Sequence, residues 1–379
     1  MHNTFKTLNL YQIKNIFNLI MNFKTICYLS ACFLSSRFLG KRYPLAMALE
    51  LTHRCNLSCP HCYTKDDVRQ LSEEEHFRIL DELKKAGCKI ISFTGGEPLL
   101  IPYLPGLMKR AKEFGMWVQY TTNGVLLPER EEELRRVCAD MVQVSLDGDA
   151  ESHRKARGAG AFEKAINALN VVRRNRWRCL IVCVINKYTT KASLTFALAK
   201  ALDVGAFISF QPLCDLPQLG PTREQLIELL DFLKELRKAR NQKQFYDVLV
   251  KHNTEGVYTE TFVENRNFYN PMNQSMALLK YLYKFPHYGT LPCSAGKLFA
   301  RIRPDGQLVP CYYAIDNEHP VNVIKDGFEY SWKNLNLPNC TNCWHHHRLE
   351  LNLIYSLSFQ TLANVLYYHL NKKFVQYKR

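Results

Sequence analysis

The sequence lacks a long apolar run free of charges and a clear signal-peptide cleavage site. The apolar stretch between residues 10 and 39 is interrupted by Lys14, Lys24 and Arg37, and Lys24 stands in the middle of its most apolar part. A spanning helix is therefore not favoured. The stretch also runs on towards the first apolar strand without a clear cleavage site, which argues against a secretory signal peptide.

Acidic residues are scarce as well. The 379 residues include 35 Asp and Glu against 50 Lys and Arg, which gives a formal net charge of +15. This balance favours an acidic partner, such as nucleic acid, phospholipid headgroups or an acidic peptide leader, although a basic solvated surface explains it equally well. Because no aromatic-interleaved nucleic-acid module is recognisable, nucleic acid is the least favoured of these partners.

Three of the 14 cysteines stand close together in the chain, as Cys55, Cys59 and Cys62. They supply three soft thiolates on one short loop, one fewer than a closed four-thiolate zinc or iron–sulfur site uses. A cube of four irons held by three thiolates keeps one iron open to a small molecule, so the spacing favours a reactive cluster. The alternatives are a zinc site completed by His53 or His61, or ordinary buried cysteines.

The residues around this loop strengthen the cluster interpretation. An apolar strand at 45–51 precedes the loop, a helical pattern covers about 73–86, and a second strand at 90–94 runs into a Gly-Gly-Glu-Pro turn at 95–98. This combination resembles the radical S-adenosylmethionine (SAM) enzymes. Their signature is C-x3-C-x2-C with an aromatic residue beside the last cysteine, followed one βα unit later by such a turn.

The resemblance implies a SAM site at the ends of several strands. The implied contacts are Gly95, Gly96, Glu97, Ser145, Arg157 and Asn186. In the family the Gly-Gly-Glu-Pro turn binds the methionine amino group, and glycine lets a ligand approach the bare backbone. Ser145 and Arg157 would hold the ribose and carboxylate of SAM, and Asn186 would face the same pocket. The plainer interpretations are a turn at the serine, a solvated helix charge at the arginine and a strand-end cap at the asparagine.

Further strand patterns follow, ending near residues 124, 148, 186 and 212. Six strands that alternate with helices over residues 44–240 predict an α/β fold with a parallel sheet of βαβ units. By resemblance, this radical SAM core curls into a partial (β/α)6 barrel. Its chemistry would then lie at the carboxyl ends of the strands, as in full barrels.

A second cysteine set lies in residues 291–349, and its members are Cys293, Cys311, Cys340 and Cys343. The Pro-Asp-Gly turn at 304–306 predicts a β-hairpin whose closure brings the first two together. The spacing resembles the auxiliary-cluster extension of radical SAM enzymes, of the SPASM or twitch type. Because no cysteine follows Cys343, it implies the short form, a small domain of a hairpin and helices with one auxiliary [4Fe-4S] cluster. A four-cysteine zinc knuckle has the same spacing.

The other seven cysteines lie mostly in apolar surroundings and are interpreted as core residues. They are Cys27, Cys32, Cys88, Cys138, Cys179, Cys183 and Cys214. Cluster ligands must be thiolates, so a reducing cytoplasm fits this usage better than a disulfide framework does.

Three segments surround these two modules. Residues 1–43 and 350–379 predict amphipathic helical ends, the second closing on basic residues. Either end could lie on the inner face of a membrane, dock on the domains themselves or form a dimer interface. Residues 241–290 are interpreted as a bridge whose side chains line the substrate pocket.

The resemblance also implies the reaction. An electron from a flavodoxin- or ferredoxin-type donor would cleave bound SAM to methionine and a 5′-deoxyadenosyl radical, which abstracts hydrogen from the substrate. Modification of a peptide or protein side chain is the function predicted first. About forty residues precede the core, fewer than a fused leader-binding domain needs, so leader recognition would require a separate protein.

Two other functions stay open from the sequence. The first is radical modification of a lipid or hydrophobic metabolite at the membrane surface, and the second is a non-catalytic iron–sulfur or zinc protein. No general base is assignable, although Asp215, Tyr312 and Glu350 are candidates.

Overall fold

The computed structural model describes residues 27–64, 68–213, 216–252, 254, 270–284, 291–312, 320–337, 340, 352–353 and 355–356. A single nine-stranded β-sheet organises these residues. Its first six strands are separated by helices along the chain.

The six parallel strands have the bounds β1 Ala46–Thr52, β2 Ile90–Gly95, β3 Trp117–Thr122, β4 Met141–Ser145, β5 Cys179–Ile185 and β6 Phe207–Pro212. They lie side by side in chain order, from β6 to β1, and each pairs in parallel with its neighbour. In this sheet each new strand is added on the same side of the one before it, whereas the strand order of a doubly wound fold reverses. Strands added on one side only form the wall of a (β/α) barrel. The predicted α/β fold with a partial (β/α)6 barrel is confirmed.

Eleven α-helices lie within the described residues, and those between β1 and β6 make the crossovers that parallel strands require. They are α1 at 27–39, α2 Glu73–Lys85, α3 Leu104–Glu113, α4 Glu131–Val137, α5 Ala150–Arg157, α6 Ala161–Asn175, α7 Lys191–Val204, α8 Arg223–Lys238, α9 Gln242–Lys251, α10 Met276–Leu282 and α11 Phe328–Asn334. Helix α2 shows why they begin where they do. The Ser72 hydroxyl accepts from the Glu75 N–H while the Glu75 carboxylate accepts from the Ser72 N–H, so two otherwise unpaired backbone donors are satisfied.

The two faces of the strands have different surroundings. Met47, Leu49 and Leu51 of β1 are buried in the main apolar core, whereas Ala48 and Glu50 line a cavity. Successive strand residues point to opposite faces of a sheet. The period of two along β1 therefore separates packing positions from cavity positions.

The C-terminal hairpin extends this same sheet. Strand β7, Phe299–Ile302, pairs in parallel with β1, and β8, Gln307–Val309, returns antiparallel to β7 before β9, Val321–Asn322. Gly306 has a φ of 84° at the turn, the left-handed conformation that the Pro-Asp-Gly pattern predicts. The sequence suggests a separate module at 291–349, but its strands continue the core sheet. Strand β1 consequently lies between the barrel and the hairpin.

Parts of both predicted terminal segments fall within the described residues, and they contact each other. The Tyr355 ring lies edge-on to Phe33 of α1, with centroids 5.3 Å apart. Its hydroxyl is 3.2 Å from the Ser36 hydroxyl, and the Arg37 Nε donates to the Tyr355 carbonyl at 3.1 Å. The remainder of both segments lies outside the described residues. Among the helices that are described, none has the length and apolar character to cross a membrane.

Candidate functional site

A cavity of about 540 Å³ lies at the carboxyl ends of the parallel strands. The predicted site residues that line it are Cys55, Cys59, Cys62, Gly95, Gly96, Ser145, Arg157 and Cys311. Asn273, Gln274 and Leu278 of the predicted bridge line it as well. A cavity of this volume accommodates a small-molecule ligand. The fold thus brings most of the predicted site together from segments that are far apart in the chain.

The cluster loop, residues 53–63, leaves β1 at its carboxyl end. The Cys62 N–H donates to the Cys59 carbonyl at 3.0 Å and closes a turn between the two cysteines. The Leu57 N–H donates to the Cys55 sulfur at 3.4 Å, and the Thr64 hydroxyl lies 3.0 Å from the Cys62 sulfur. Local hydrogen bonds therefore hold the loop, and the sulfur atoms of Cys55 and Cys62 each have a polar neighbour.

Burial raises the pKa of the Cys55 and Cys59 thiols. The Leu57 N–H and the Asn123 amide oppose this effect at Cys55, and the Arg157 guanidinium opposes it at Cys59. A bound cation deprotonates a coordinating thiol outright. One buried thiol and two half-buried thiols, with donors and a guanidinium beside them, fit a metal cluster that stabilises their thiolate forms.

The zinc alternative has less support in the described ranges. Within them, no three Cys, His, Asp or Glu side chains converge as ligands of one metal ion. His53, which that alternative recruits, has its Nε2 atom 3.3 Å from the Glu50 carboxylate. A zinc ion needs four ligands at about 2.0–2.3 Å, whereas a cluster binds each thiolate at a different iron.

The glycines of the Gly-Gly-Glu-Pro turn pack against the start of the cluster loop. A Cβ atom on Gly95 would lie 2.2 Å from the Thr52 carbonyl oxygen, and one on Gly96 would lie 2.2 Å from the Arg54 carbonyl oxygen. The Gly96 N–H donates to the Thr52 carbonyl at 2.6 Å, and the Glu97 N–H donates to the Arg54 carbonyl at 3.0 Å. Glycine is needed at both positions because the backbone of another segment approaches closely. From the sequence, only the approach of a ligand was considered.

Glu97 is fully buried, and it does not belong to the cavity wall. Its carboxylate accepts from the Leu99 N–H at 3.0 Å, the Thr122 hydroxyl at 2.9 Å and the Asn123 N–H at 2.8 Å. Burial raises its pKa to about 7, and these donors oppose the rise. The side chain joins the turn after β2 to the end of β3, while its contact with SAM stays a prediction.

Arg157 ends α5 and is held by a residue that the sequence argument did not select. Its Nε donates to the Asp147 carboxylate at 2.6 Å, in a pair whose side chains are 11% and 0% exposed. His153 Nδ1 accepts from the Asp147 N–H at 3.0 Å, and burial lowers the His153 pKa to about 4. The interpretation of Arg157 as a solvated helix charge is wrong. The short spacing of the two residues, with the aspartate just before helix α5 and the arginine at its end, could have indicated the pair.

Asn186 has the contacts of a cap. Its side-chain oxygen accepts from the Tyr188 N–H at 2.8 Å, and its own N–H donates to the Thr189 hydroxyl at 2.9 Å. It is buried and is not one of the residues that line the cavity. These contacts agree with the strand-end cap, and a role for Asn186 at SAM stays a prediction.

The auxiliary cysteines are only partly described. Burial and the Cys293 thiol raise the pKa of Cys340. The Cys293 sulfur also accepts from the Ala295 N–H at 3.4 Å and lies 3.8 Å from the Asn352 amide nitrogen. Cys311 lines the cavity from the hairpin side, and Cys343 lies outside the described residues.

Of the three candidate general bases, one lies within the described residues. Asp215 and Glu350 lie outside the described residues, and Tyr312 lines the cavity. Two ionisable residues that sequence reasoning missed, Glu50 and Arg301, line it too and form an ion pair at 2.9 Å. The only sequence signal for that pair is a charge in each of two buried strands.

Known proteins similar to this chain match it over most of its length. A family model described as the radical SAM superfamily matches residues 49–195. Mycofactocin maturase MftC of Mycobacterium tuberculosis is 30% identical over 302 residues, which cover 78% of this chain and 71% of that protein. PqqA peptide cyclase of Granulibacter bethesdensis is 37% identical over 137 residues, covering 34% of this chain and 37% of the cyclase.

Solved structures show the same fold. Streptococcus suis SuiB bound to S-adenosylmethionine superposes with a TM-score of 0.56 at 16% identity, covering 75% of this chain and 64% of SuiB. The anSMEcpe structure with bound AdoMet gives a TM-score of 0.56 at 18% identity, covering 77% of this chain and 81% of that one. At these identities the likeness concerns the fold alone.

Proposed function

The chain belongs to the radical SAM superfamily, and from that premise we propose that it modifies a side chain of a peptide or protein substrate. As a member of this family it is an enzyme whose cofactors are a SAM-binding [4Fe-4S] cluster, SAM and an auxiliary cluster. When bound, these groups supply a 5′-deoxyadenosyl radical that removes a hydrogen atom from the substrate.

The described residues have complementary tasks around those cofactors. Cys55, Cys59 and Cys62 would hold the SAM-binding cluster, because their loop enters the cavity at the carboxyl end of β1. Ser145 and Arg157 would bind polar groups of SAM from the same cavity. The four cysteines of the second set would hold the auxiliary cluster on the hairpin side. Together these groups orient the reactants and exclude water.

The observation that best supports the proposal is the composition of the cavity wall. It combines the cluster loop with Tyr312 of the hairpin region and Asn273 of the bridge. Amide and hydroxyl groups can make the directional hydrogen bonds that a peptide backbone offers. The name of one relative, PqqA peptide cyclase, refers to a peptide, which favours the same substrate class here.

The experiment uses reconstituted enzyme, SAM, a strong reductant and any small precursor peptide that is encoded beside the gene. We expect a peptide of changed mass, formed together with 5′-deoxyadenosine. A Cys59→Ala variant is the control and should give neither product. An unchanged peptide beside a chemically altered lipid extract would instead support the alternative, radical modification of a lipid or hydrophobic metabolite.

The partners and location are part of this proposal. A flavodoxin- or ferredoxin-type protein would supply electrons, a separate protein would bind the peptide leader, and the enzyme would work in the cytoplasm. Peripheral contact with the inner membrane face is supported by Phe38 and Leu39, which end α1 with 64% and 68% exposure beside Lys41. The packing of α1 on Tyr355 supports the alternative of docking within the protein.

A further inference from the structure

Four side chains connect the hairpin to the cluster loop along the wall of the cavity. Glu50 lies on β1, and Arg301 lies on the adjacent β7. Tyr63 directly follows the last cysteine of the cluster loop, and Tyr312 directly follows the first cysteine after the hairpin. All four line the cavity. The two cysteine sets, which are more than 200 residues apart in sequence, therefore meet through their neighbouring tyrosines.

One buried carboxylate, that of Glu50, contacts both the hairpin and the cluster loop. The Arg301 Nη2 lies 2.9 Å from Glu50 Oε1 and 3.0 Å from Oε2, and the two side chains are 9% and 2% exposed. The Tyr63 hydroxyl donates to the same carboxylate at 3.2 Å, and His53 Nε2 lies 3.3 Å from it. Removing the guanidinium would leave a buried carboxylate without its cation, which is strongly unfavourable. The orientation of Tyr63 is therefore tied to Arg301.

The two rings reinforce this connection. The Arg301 guanidinium lies 5.5 Å from the centroid of the Tyr63 ring and 5.0 Å from that of Tyr312. The rings themselves meet edge-on, with centroids 4.2 Å apart and planes at 87°. Both geometries are attractive, because the positive charge and the ring edge each face the electron-rich surface of a ring.

We propose that Arg301 is a positioning residue for the SAM site: through Glu50 and Tyr63 it holds the last turn of the cluster loop in the geometry that binds SAM. The hairpin then supports the SAM-binding cluster mechanically, in addition to carrying ligands of the auxiliary cluster. This inference rests on the cluster loop holding the SAM-binding cluster. It does not depend on the substrate being a peptide.

The test uses the anaerobically reconstituted full chain and SAM alone, so it is independent of the substrate. In Arg301→Met we expect the iron content of the wild type and a dissociation constant for SAM raised about tenfold, which is 1.4 kcal/mol. The change that SAM causes in the electron paramagnetic resonance spectrum of the reduced enzyme should also be altered. Arg301→Lys keeps the charge but loses the planar fork, so it should restore SAM binding only in part.

Lys297→Met is the matched control, because this cation lies in the same segment but 6.0 Å from the Tyr355 ring. It should leave both SAM affinity and the spectrum unchanged. Tyr312→Leu removes the ring contact without burying a charge and should weaken SAM binding in the same direction as Arg301→Met. Wild-type affinity and spectrum in an iron-loaded Arg301→Met variant would overturn the proposal. If that variant fails to load iron, wild-type behaviour of Tyr312→Leu would overturn it.

Discussion

The Asp147 carboxylate binds the Arg157 guanidinium at 2.6 Å and also accepts the Val184 N–H at 2.8 Å. It thereby joins the turn after β4 to the end of α5 and to strand β5. Burial acts to raise the pKa of Asp147, but Arg157 and His153 act to lower it. Their combined effect is larger than that of burial, so the pKa lies below its ordinary value. The aspartate therefore stays ionised and fixes the arginine at the cavity wall.

Asp147→Asn should weaken both folding and SAM binding. The variant leaves the buried Arg157 charge without a counter-charge, and breaking a buried pair in this way costs about 3–5 kcal/mol. Chemical denaturation and SAM titration measure the two effects. Glu151→Gln breaks an exposed pair with Lys155 on the same helix, and we expect little change, because solvent screens surface ion pairs. Equal effects of the two substitutions would contradict the role given to Asp147.

Glu97→Gln should change how stability depends on pH. Burial raises the pKa of Glu97 to about 7 from the ordinary value of 4.5, so the folded state holds this proton more tightly than the unfolded chain does. The resulting stability is complete below pH 4.5 and is lost as the pH rises through 7, by at most about 1.4 kcal/mol per pH unit.

The measurement is the anaerobic melting temperature of both proteins at several values between about pH 5 and 7.5. The wild type should lose stability relative to Glu97→Gln as the pH rises. Glu129→Gln alters an exposed carboxylate and should keep the wild-type slope. Parallel curves for the wild type and Glu97→Gln would rule out a raised pKa.

Gly96→Ala should prevent assembly of the SAM-binding cluster while the barrel still folds. The new methyl group would meet the Arg54 carbonyl oxygen at 2.2 Å, which displaces the entry of the cluster loop. Gly106→Ala in α3 is the control, since its Cβ would meet only the end of the Phe77 ring at 3.3 Å. Iron analysis and far-ultraviolet circular dichroism distinguish the two. Normal iron content in Gly96→Ala would contradict this account of the turn.

The elements that could be predicted from the sequence are those set by recurring residue patterns or by residues close together in the chain. Strand β2 and the cluster loop could be placed because apolar runs and fixed cysteine spacing are local patterns. The Glu50–Arg301 pair could not, because its members are 251 residues apart and β7 joins β1 only in the folded sheet. The close approach of Gly96 to the Arg54 backbone could not be predicted either, since that neighbour belongs to another segment. Glu97 shows the same limit, because a carboxylate in a turn does not reveal its donors.

The central claim is that Cys55, Cys59 and Cys62 hold a cluster that cleaves SAM. The direct test is to supply electrons and SAM to the anaerobically reconstituted chain and to measure iron, methionine and 5′-deoxyadenosine. We expect about eight irons per chain, for two four-iron clusters, and equal amounts of the two products. A triple alanine variant at the three cysteines should keep about four irons and form neither product. Zinc in place of iron at these cysteines, or SAM left intact by the reduced wild-type enzyme, would contradict the account.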